Sequence, residues 1–293
     1  MTIGWMGLGL MGERMVKRVA SLGEDVVAYN RSPKAIRDLP THVRVTSDPR
    51  DAARGCRVIF LMLADGAAVE AALFESGALD AMDPGAVVVN MSTVGVEESI
   101  RFAERVERRG FGYVESPVLG TTKPAEEGKL VALVAGTEAN VKTALPYLRT
   151  MAHVVHRLGN VGNGSAMKLM VNYLLAMSML SLGEALAFAE RAGFDVRTAL
   201  DVLATSSVWP AVYGGKRAMI ETGDFTPQFP VKHLAKDVRL FTEASEHLRA
   251  RTPIAGLARD LLRRASAGSF ADLDMAALCS WFRDDGQGQR SDS

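Results

Sequence analysis

The chain has 293 residues, 48% of them apolar and 23% charged, which is enough for two domains with separate cores and excludes bulk disorder. Thirty-four basic side chains balance thirty-four acidic ones, so nucleic acid and an anionic membrane surface are not expected as partners. Two cysteines far apart, Cys56 and Cys279, and five histidines without ligand spacing offer neither a disulfide framework nor a metal site; a reducing, cytoplasmic location is expected.

Residues 1–12 carry no positive charge ahead of their apolar run, and Gly4, Gly7, Gly9 and Gly12 break any signal-type helix, so no targeting segment is expected. Ile3–Met6 reads as a strand, after which Met15, Val19 and Leu22 share one helical face. Asp25–Tyr29 is the next strand, and Ser32-Pro33 predicts an N-cap with proline in the first helical position. Val58–Leu63 is an unbroken apolar run, the pattern of a strand buried on both faces, with Asp65 placed to cap the following helix. Ala86–Asn90, Tyr113–Glu115, Leu130–Ala135 and Val154–Leu158 continue the series. Strands alternating with helices predict βαβ units and a mainly parallel sheet.

Beyond Gly159 the strand signal stops. Gly162-Asn163-Gly164 opens a helical stretch running to Ala192, with Gly193 as its C-cap. Leu169 to Leu180 is apolar on nearly every side, which predicts a helix enclosed by neighbours. Its uncharged run, Leu169–Gly183, is shorter than the ~20 residues that span a bilayer. Met167, Met170, Met177 and Met179 read as core filling. Helices follow at Val196–Ala204, Pro210–Glu221, Pro230–His247, Pro253–Ala265 and Met275–Phe282. The expected organisation is an α/β dinucleotide-binding domain over 1–160, an all-α domain over 161–285 and a polar tail over 286–293.

Gly7-Leu8-Gly9-Leu10-Met11-Gly12 matches GxGxxG, and it lies between a predicted strand and a predicted helix at the start of a βαβ unit. In that context Gly7 makes a tight turn, Gly9 lets a pyrophosphate approach and Gly12 allows close helix packing. The helix N-terminus supplies N–H groups and dipole to the phosphates. The end of the second strand reads Asn30-Arg31-Ser32, where an NAD enzyme would commonly place an acid. Arg31 can pair with a 2′-phosphate and Ser32 can add a hydroxyl, so NADP (NADPH) is the expected cofactor. A plain helix cap with a solvated arginine is the simpler account of the same residues.

These motifs, with Met62–Asp65, Asn90-Met91-Ser92-Thr93-Val94, Glu115-Ser116-Pro117-Val118, 162–172 and Phe229–Asp237, resemble the β-hydroxyacid dehydrogenase family, from Ile3 to about Ala276. The resemblance implies a Rossmann-type doubly wound domain followed by a helical domain of the 6-phosphogluconate dehydrogenase C-terminal type. It implies hydride transfer between NADP(H) and a small hydroxy acid, keto acid or semialdehyde, and a homodimer or higher homo-oligomer. It places Leu63, Ala64 and Thr93 along the nicotinamide half of the cofactor site, and it brings Lys236 to the cofactor from the helical domain. Lys168 becomes the general acid for reduction and the base for oxidation.

Asn172, four residues on, shares a helix face with Lys168 and can donate and accept, so it would orient Lys168 or the substrate. The sequence departs from the family at the substrate loop. Relatives carry a serine and two glycines after Pro117-Val118, whereas this chain has Leu119-Gly120-Thr121. A substrate carboxylate would then be held by the Gly120 and Thr121 backbone or a threonine hydroxyl, or the substrate differs. Lys123 to Leu130 resembles the glyoxylate and succinic semialdehyde reductase branch. Two rivals stand beside this reading: an imine reductase on the same architecture, and a catalytically idle NADP-binding module.

Overall fold

The computed structural model describes residues 2–32 and 39–283. The chain divides into two compact units, one ending at Leu169 and the other beginning at Met170. The proline expected to open a helix at Pro33 and the polar tail lie outside the described residues.

In the first unit β1 (Thr2–Met6), β2 (Asp25–Tyr29), β3 (Val43–Thr46), β4 (Cys56–Leu61), β5 (Val87–Asn90) and β6 (Gly112–Glu115) form a parallel sheet in the order β3-β2-β1-β4-β5-β6. β1 is central: its Gly4 lies opposite Val27 on one side and Ile59 on the other. Side chains alternate between the faces, as the strand period requires. Ile3, Trp5, Phe60, Val89 and Val114 fill one core layer, and Met6, Ile59, Leu61, Val88 and Tyr113 fill the other. Burial on both faces accounts for the unbroken apolar runs of the central strands.

The helices α1 (Gly12–Ala20), α2 (Pro49–Ala53), α3 (Gly66–Val69, running on as a π-helical stretch Glu70–Glu75) and α4 (Val96–Glu107) connect these strands. Beyond β6 the sheet continues through the two-residue β7 (Val118–Leu119), α5 (Thr122–Glu127), β8 (Leu130–Gly136), α6 (Glu138–Met151) and β9 (Ala152–Arg157). β8 runs antiparallel to β6 and β7, and β9 runs parallel to β8.

Three local expectations change. Leu22 is 44% exposed rather than on the buried face, because α1 stops at Ala20 and Gly23, at φ +77°, turns the chain toward β2. Met62 and Leu63 fall beyond the end of β4. β3 is a strand the apolar pattern does not announce: among the described residues it pairs only with β2, and it interleaves Arg44 and Thr46 with its valines.

The second unit is helical. α7 (Asn163–Arg191) enters it and is followed by α8 (Val196–Ala204), α9 (Ala211–Thr222), α10 (Val231–His247), α11 (Pro253–Ser266) and α12 (Leu278–Trp281). Asp195 caps α8 by accepting from Thr198 N at 2.8 Å. A buried ion pair orders the turn ahead of α10: Lys216 Nζ lies 2.9 Å from Asp274, whose Oδ2 also accepts from the backbone N–H groups of Gln228 and Phe229.

α7 is long and apolar enough to cross a membrane by length and composition alone. It instead contributes Ala176, Met179, Leu180, Leu182 and Leu186 to the helical core. The expectation of full enclosure needs correction. Met167, Met170, Leu174 and Phe188 are 37%, 40%, 56% and 76% exposed, so only Met179 of the methionines singled out is fully buried. One chain covers one face of this helix and leaves the opposite apolar face bare.

Both cysteines are free, and burial pushes each thiol up to about 12 from the ordinary 9.0. A thiol reagent at pH 8 is expected to modify neither in the native protein and both after unfolding. Because the unfolded thiols ionise first, this pair of shifts lowers stability as pH rises above about 9. Titration of native protein with an aromatic disulfide reagent checks the first point, and rapid labelling of either cysteine would refute it.

Candidate active site

The loop between β1 and α1 is set by backbone crowding. Gly7 has φ +102°, its N–H donates to Tyr29 O at 2.9 Å, and a Cβ there would come within 2.3 Å of Met62 O. A Cβ on Gly12 would lie 2.0 Å from Gly7 O. Trp5 Nε1 donates to that same carbonyl at 2.8 Å. Gly9 is different, since a Cβ there would meet nothing within 4 Å. Packing does not demand glycine at Gly9, whereas close approach of a ligand to the backbone does. Among the described residues no side chain caps the N-terminus of α1, which leaves its dipole end to an outside anion.

A cleft of about 600 Å³ opens beside this loop at the carboxyl ends of β1, β2 and β4, where the strand order reverses. It brings together Gly7, Gly9, Asn30, Arg31, Ser32, Leu63 and Ala64 from the predicted set. Asp65 lines it too while capping α3, its Oδ1 accepting from Ala68 N at 2.8 Å. The Asn30 carboxamide is committed to the loop itself: Oδ1 accepts from Leu8 N at 3.1 Å and Nδ2 donates to Ser32 O at 2.8 Å. The Leu8 side chain lies in the core rather than in the cleft. Leu10, Met11, Gly12 and Thr93 are not among the lining residues. The fit of a dinucleotide rests on the open Gly9 backbone, the uncapped α1 and this cleft.

A second cluster forms around the start of α7. Glu115, at the end of β6 and 1% exposed, accepts from Gly162 N and Gly164 N through Oε1 and from Ser99 and Ser165 hydroxyls through Oε2, all at 2.7 Å. Four donors offset the desolvation of a buried carboxylate. The amides of the α7 N-terminus are thereby anchored to β6. Gly164 is required by this closeness, since a Cβ would sit 2.7 Å from Leu133 O.

One turn later, Lys168 Nζ donates to Val118 O at 2.8 Å, the carbonyl next to Leu119. Lys168 and the loop Leu119-Gly120-Thr121 therefore lie side by side. Gly120 has φ +122° and no room for a side chain, since a Cβ there would lie 2.8 Å from the Leu130 side chain. Leu119 itself is half-buried and pairs in register with Val131.

Further along α7, Asn172 is 3% exposed and its Nδ2 donates to Asp237 Oδ2 at 2.5 Å. Asp237 Oδ1 lies 3.0 Å from Lys236 Nζ. Asp237 thus joins two of the predicted residues, Asn172 and Lys236, inside the second unit. Sequence reasoning named it only as the end of a segment; an acid beside a lysine, in line with Leu234 and Val238 on the buried face of α10, was the available signal.

A buried polar chain also connects the cleft to Glu115. Leu63 N donates to Ser92 Oγ at 2.9 Å, and Ser92 N donates to Asn90 Oδ1 at 3.0 Å. Asn90 Nδ2 donates to Tyr113 OH at 3.1 Å, and that hydroxyl lies 3.3 Å from Ser99 Oγ. Burial pushes the Tyr113 phenol far above its ordinary value, so it stays a neutral donor.

A parallel sheet in this order, with a glycine turn and a cleft at its switch point, followed by a helical unit, defines a dinucleotide-binding protein. Residues 2–160 match the family model for the NAD binding domain of 6-phosphogluconate dehydrogenase, and residues 162–282 match that for the NAD-binding region of NADP-dependent 3-hydroxyisobutyrate dehydrogenase. The chain is 31% identical over 280 residues to glyoxylate/succinic semialdehyde reductase 1 of Arabidopsis thaliana, covering 95% of this chain and 97% of that one. Among solved structures, 3-hydroxyisobutyrate dehydrogenase from Salmonella typhimurium is 23% identical with a TM-score of 0.87, covering 96% and 99% of the two chains. The Mycobacterium tuberculosis 3-hydroxyisobutyrate dehydrogenase is 26% identical with a TM-score of 0.83, again over 96% and 99%. The chain belongs to the β-hydroxyacid dehydrogenase family.

Proposed function

We propose that the protein is an NADP(H)-dependent reductase of small carbonyl acids, acting on a semialdehyde or keto acid, with Lys168 as its general acid. The observation that carries this is the Lys168 ammonium held at Val118 O, beside the substrate loop, on a helix whose N-terminus is clamped by Glu115. The nicotinamide, when bound, supplies the hydride in reduction and accepts it in oxidation. Gly7, Gly9 and the α1 N-terminus would hold its pyrophosphate, Arg31 and Ser32 its 2′-phosphate, and Leu63, Ala64 and Thr93 its reactive half.

Lys168 releases a proton to the carbonyl oxygen in reduction and takes one from the hydroxyl in oxidation, since negative charge grows on that oxygen along the path. Asn172, fixed by Asp237, orients the lysine or the substrate. The substrate carboxylate would be held by the Gly120 and Thr121 backbone or by a threonine hydroxyl, because the Leu119 side chain has no donor. Two free buried thiols fit a reducing compartment such as the cytoplasm.

A homodimer belongs to the same reading. Met167, Met170, Leu174 and Phe188 recur on one face of α7 and stay exposed in a single chain, as a helix–helix interface between copies would need.

Oxidation of NADPH, in parallel with NADH, over a panel of aldehydes, keto acids and cyclic imines tests the assignment. Turnover of glyoxylate or succinic semialdehyde with NADPH is expected. Turnover confined to cyclic imines would make the protein an imine reductase, and none at all would make it an idle binding module. Within the carbonyl reading, Leu119→Ser is expected to raise kcat/KM for small acids about 5–30-fold, the worth of one hydrogen bond to a charged group. No gain would show a pocket built around an apolar contact.

A further inference from the structure

We infer that the buried chain from Leu63 through Ser92, Asn90, Tyr113 and Ser99 to Glu115 is the device that registers Lys168 against the cleft; this rests on the proposed role of Lys168. Asn90, Ser92, Ser99, Tyr113 and Glu115 are each at most 2% exposed, so none of these five side chains is open to solvent. Five buried polar side chains in one continuous line cost more desolvation than a sheet edge requires, and an apolar set of the same shape would pack at least as well.

The line has a direction. Ser99 Oγ donates to Glu115 Oε2 at 2.7 Å. Ser99 Oγ must then accept from Tyr113 OH, which in turn accepts from Asn90 Nδ2. From the Ser92 backbone N–H onward each hydrogen bond polarises the next toward the carboxylate, while the Ser92 hydroxyl, which accepts from Leu63 N, itself donates to Leu61 O. At one end the chain holds Leu63 N, in the loop lining the cleft. At the other, Glu115 holds the first amides of α7, and Lys168 closes the circuit by donating to Val118 O, three residues past Glu115. Leu63 and Ser92 follow the ends of β4 and β5, Asn90 ends β5, Tyr113 and Glu115 lie in β6 and Ser99 lies on α4, and β4, β5 and β6 are adjacent in the sheet, which leaves the chain little freedom to shift. Tyr113, Ser99 and Glu115 are therefore positioning residues. They act on the geometry between the Leu63 loop and the Lys168 ammonium, not on the reacting atoms.

Tyr113→Phe removes the central hydroxyl with little change of shape, and Ser99→Ala removes the next one. Both are tested in the full-length chain. In the cofactor-free protein, amide hydrogen exchange at Leu63 and at Gly162 and Gly164 is expected to speed up about tenfold in both variants, with the β1 amides unchanged. Single-turnover hydride transfer from NADPH to succinic semialdehyde is expected to slow about tenfold, the scale of a small misplacement of a catalytic group, with cofactor affinity and KM retained. In a Lys168→Ala background the same substitutions should cost nothing further. Exchange that rises evenly across the sheet, or a rate loss that persists in full without Lys168, would assign the chain to stability alone and overturn the inference. A Lys168→Ala enzyme with a normal rate would instead remove the functional reading, and the exchange experiment would still decide whether the chain ties the two loops together.

Discussion

Lys168→Ala is expected to slow hydride transfer about 10²–10⁴-fold while NADPH affinity is retained, because the interaction lost is made mainly in the transition state. The side chain is half-buried with its Nζ 2.8 Å from Val118 O, so its removal leaves a small gap at the loop. Lys168→Arg should fail nearly as badly, since guanidinium does not give up its proton and its planar fork needs a different approach. In alcohol oxidation the acid limb of the wild-type pH profile reports the free-base form of the lysine, and that limb should vanish in the alanine variant. Asn172→Ala should be milder and act on the same step. Its own loss includes the Asn172 donor that reaches the buried Asp237 carboxylate at 2.5 Å, so the two losses should not add. Single-turnover measurement at saturating cofactor decides the matter. A Lys168→Ala enzyme keeping more than about a tenth of the wild-type rate falls short of a general-acid contribution and passes the role to a water or to Lys236.

Arg31→Asp should weaken NADPH binding by about 2–4 kcal/mol, combining a lost charge-assisted pairing with new repulsion of the 2′-phosphate. Arg31 and Ser32 line the cleft just past the end of β2, and the Asn30 carboxamide fixes the Ser32 carbonyl beside them. A carboxylate introduced there would face the ribose hydroxyls of NADH instead, so NADH binding should change far less or improve. Equilibrium titration of both cofactors against wild type and variant reads this directly. Equal losses for the two would show that Arg31 does not distinguish them.

The local sequence determined most of the scaffold. Period-two burial and unbroken valine and isoleucine runs located the central strands, because a parallel sheet covered on both faces demands apolar side chains at every position. Gly7 and Gly12 marked the turn for a reason visible in the backbone, since each has a carbonyl where a Cβ would stand. Asp65 was legible as a cap because capping is settled within one helical turn. The proximity of Lys168 to the 119–121 loop was implied by family motifs; it took the fold to place Nζ on Val118 O.

What the tertiary structure alone decided shares one physical character: partners far apart in sequence. Glu115 meets donors 16 to 50 residues away, and Asn172 meets Asp237 across 65 residues, so no periodicity or spacing could announce either. The polar residues of the buried chain look, in sequence, like ordinary strand ends and a helix serine. Burial on adjacent strands is what turns them into a continuous hydrogen-bonded line. The all-round apolarity of α7 was legible, but which of its faces a single chain covers was not, because that depends on where the other helices of its unit pack.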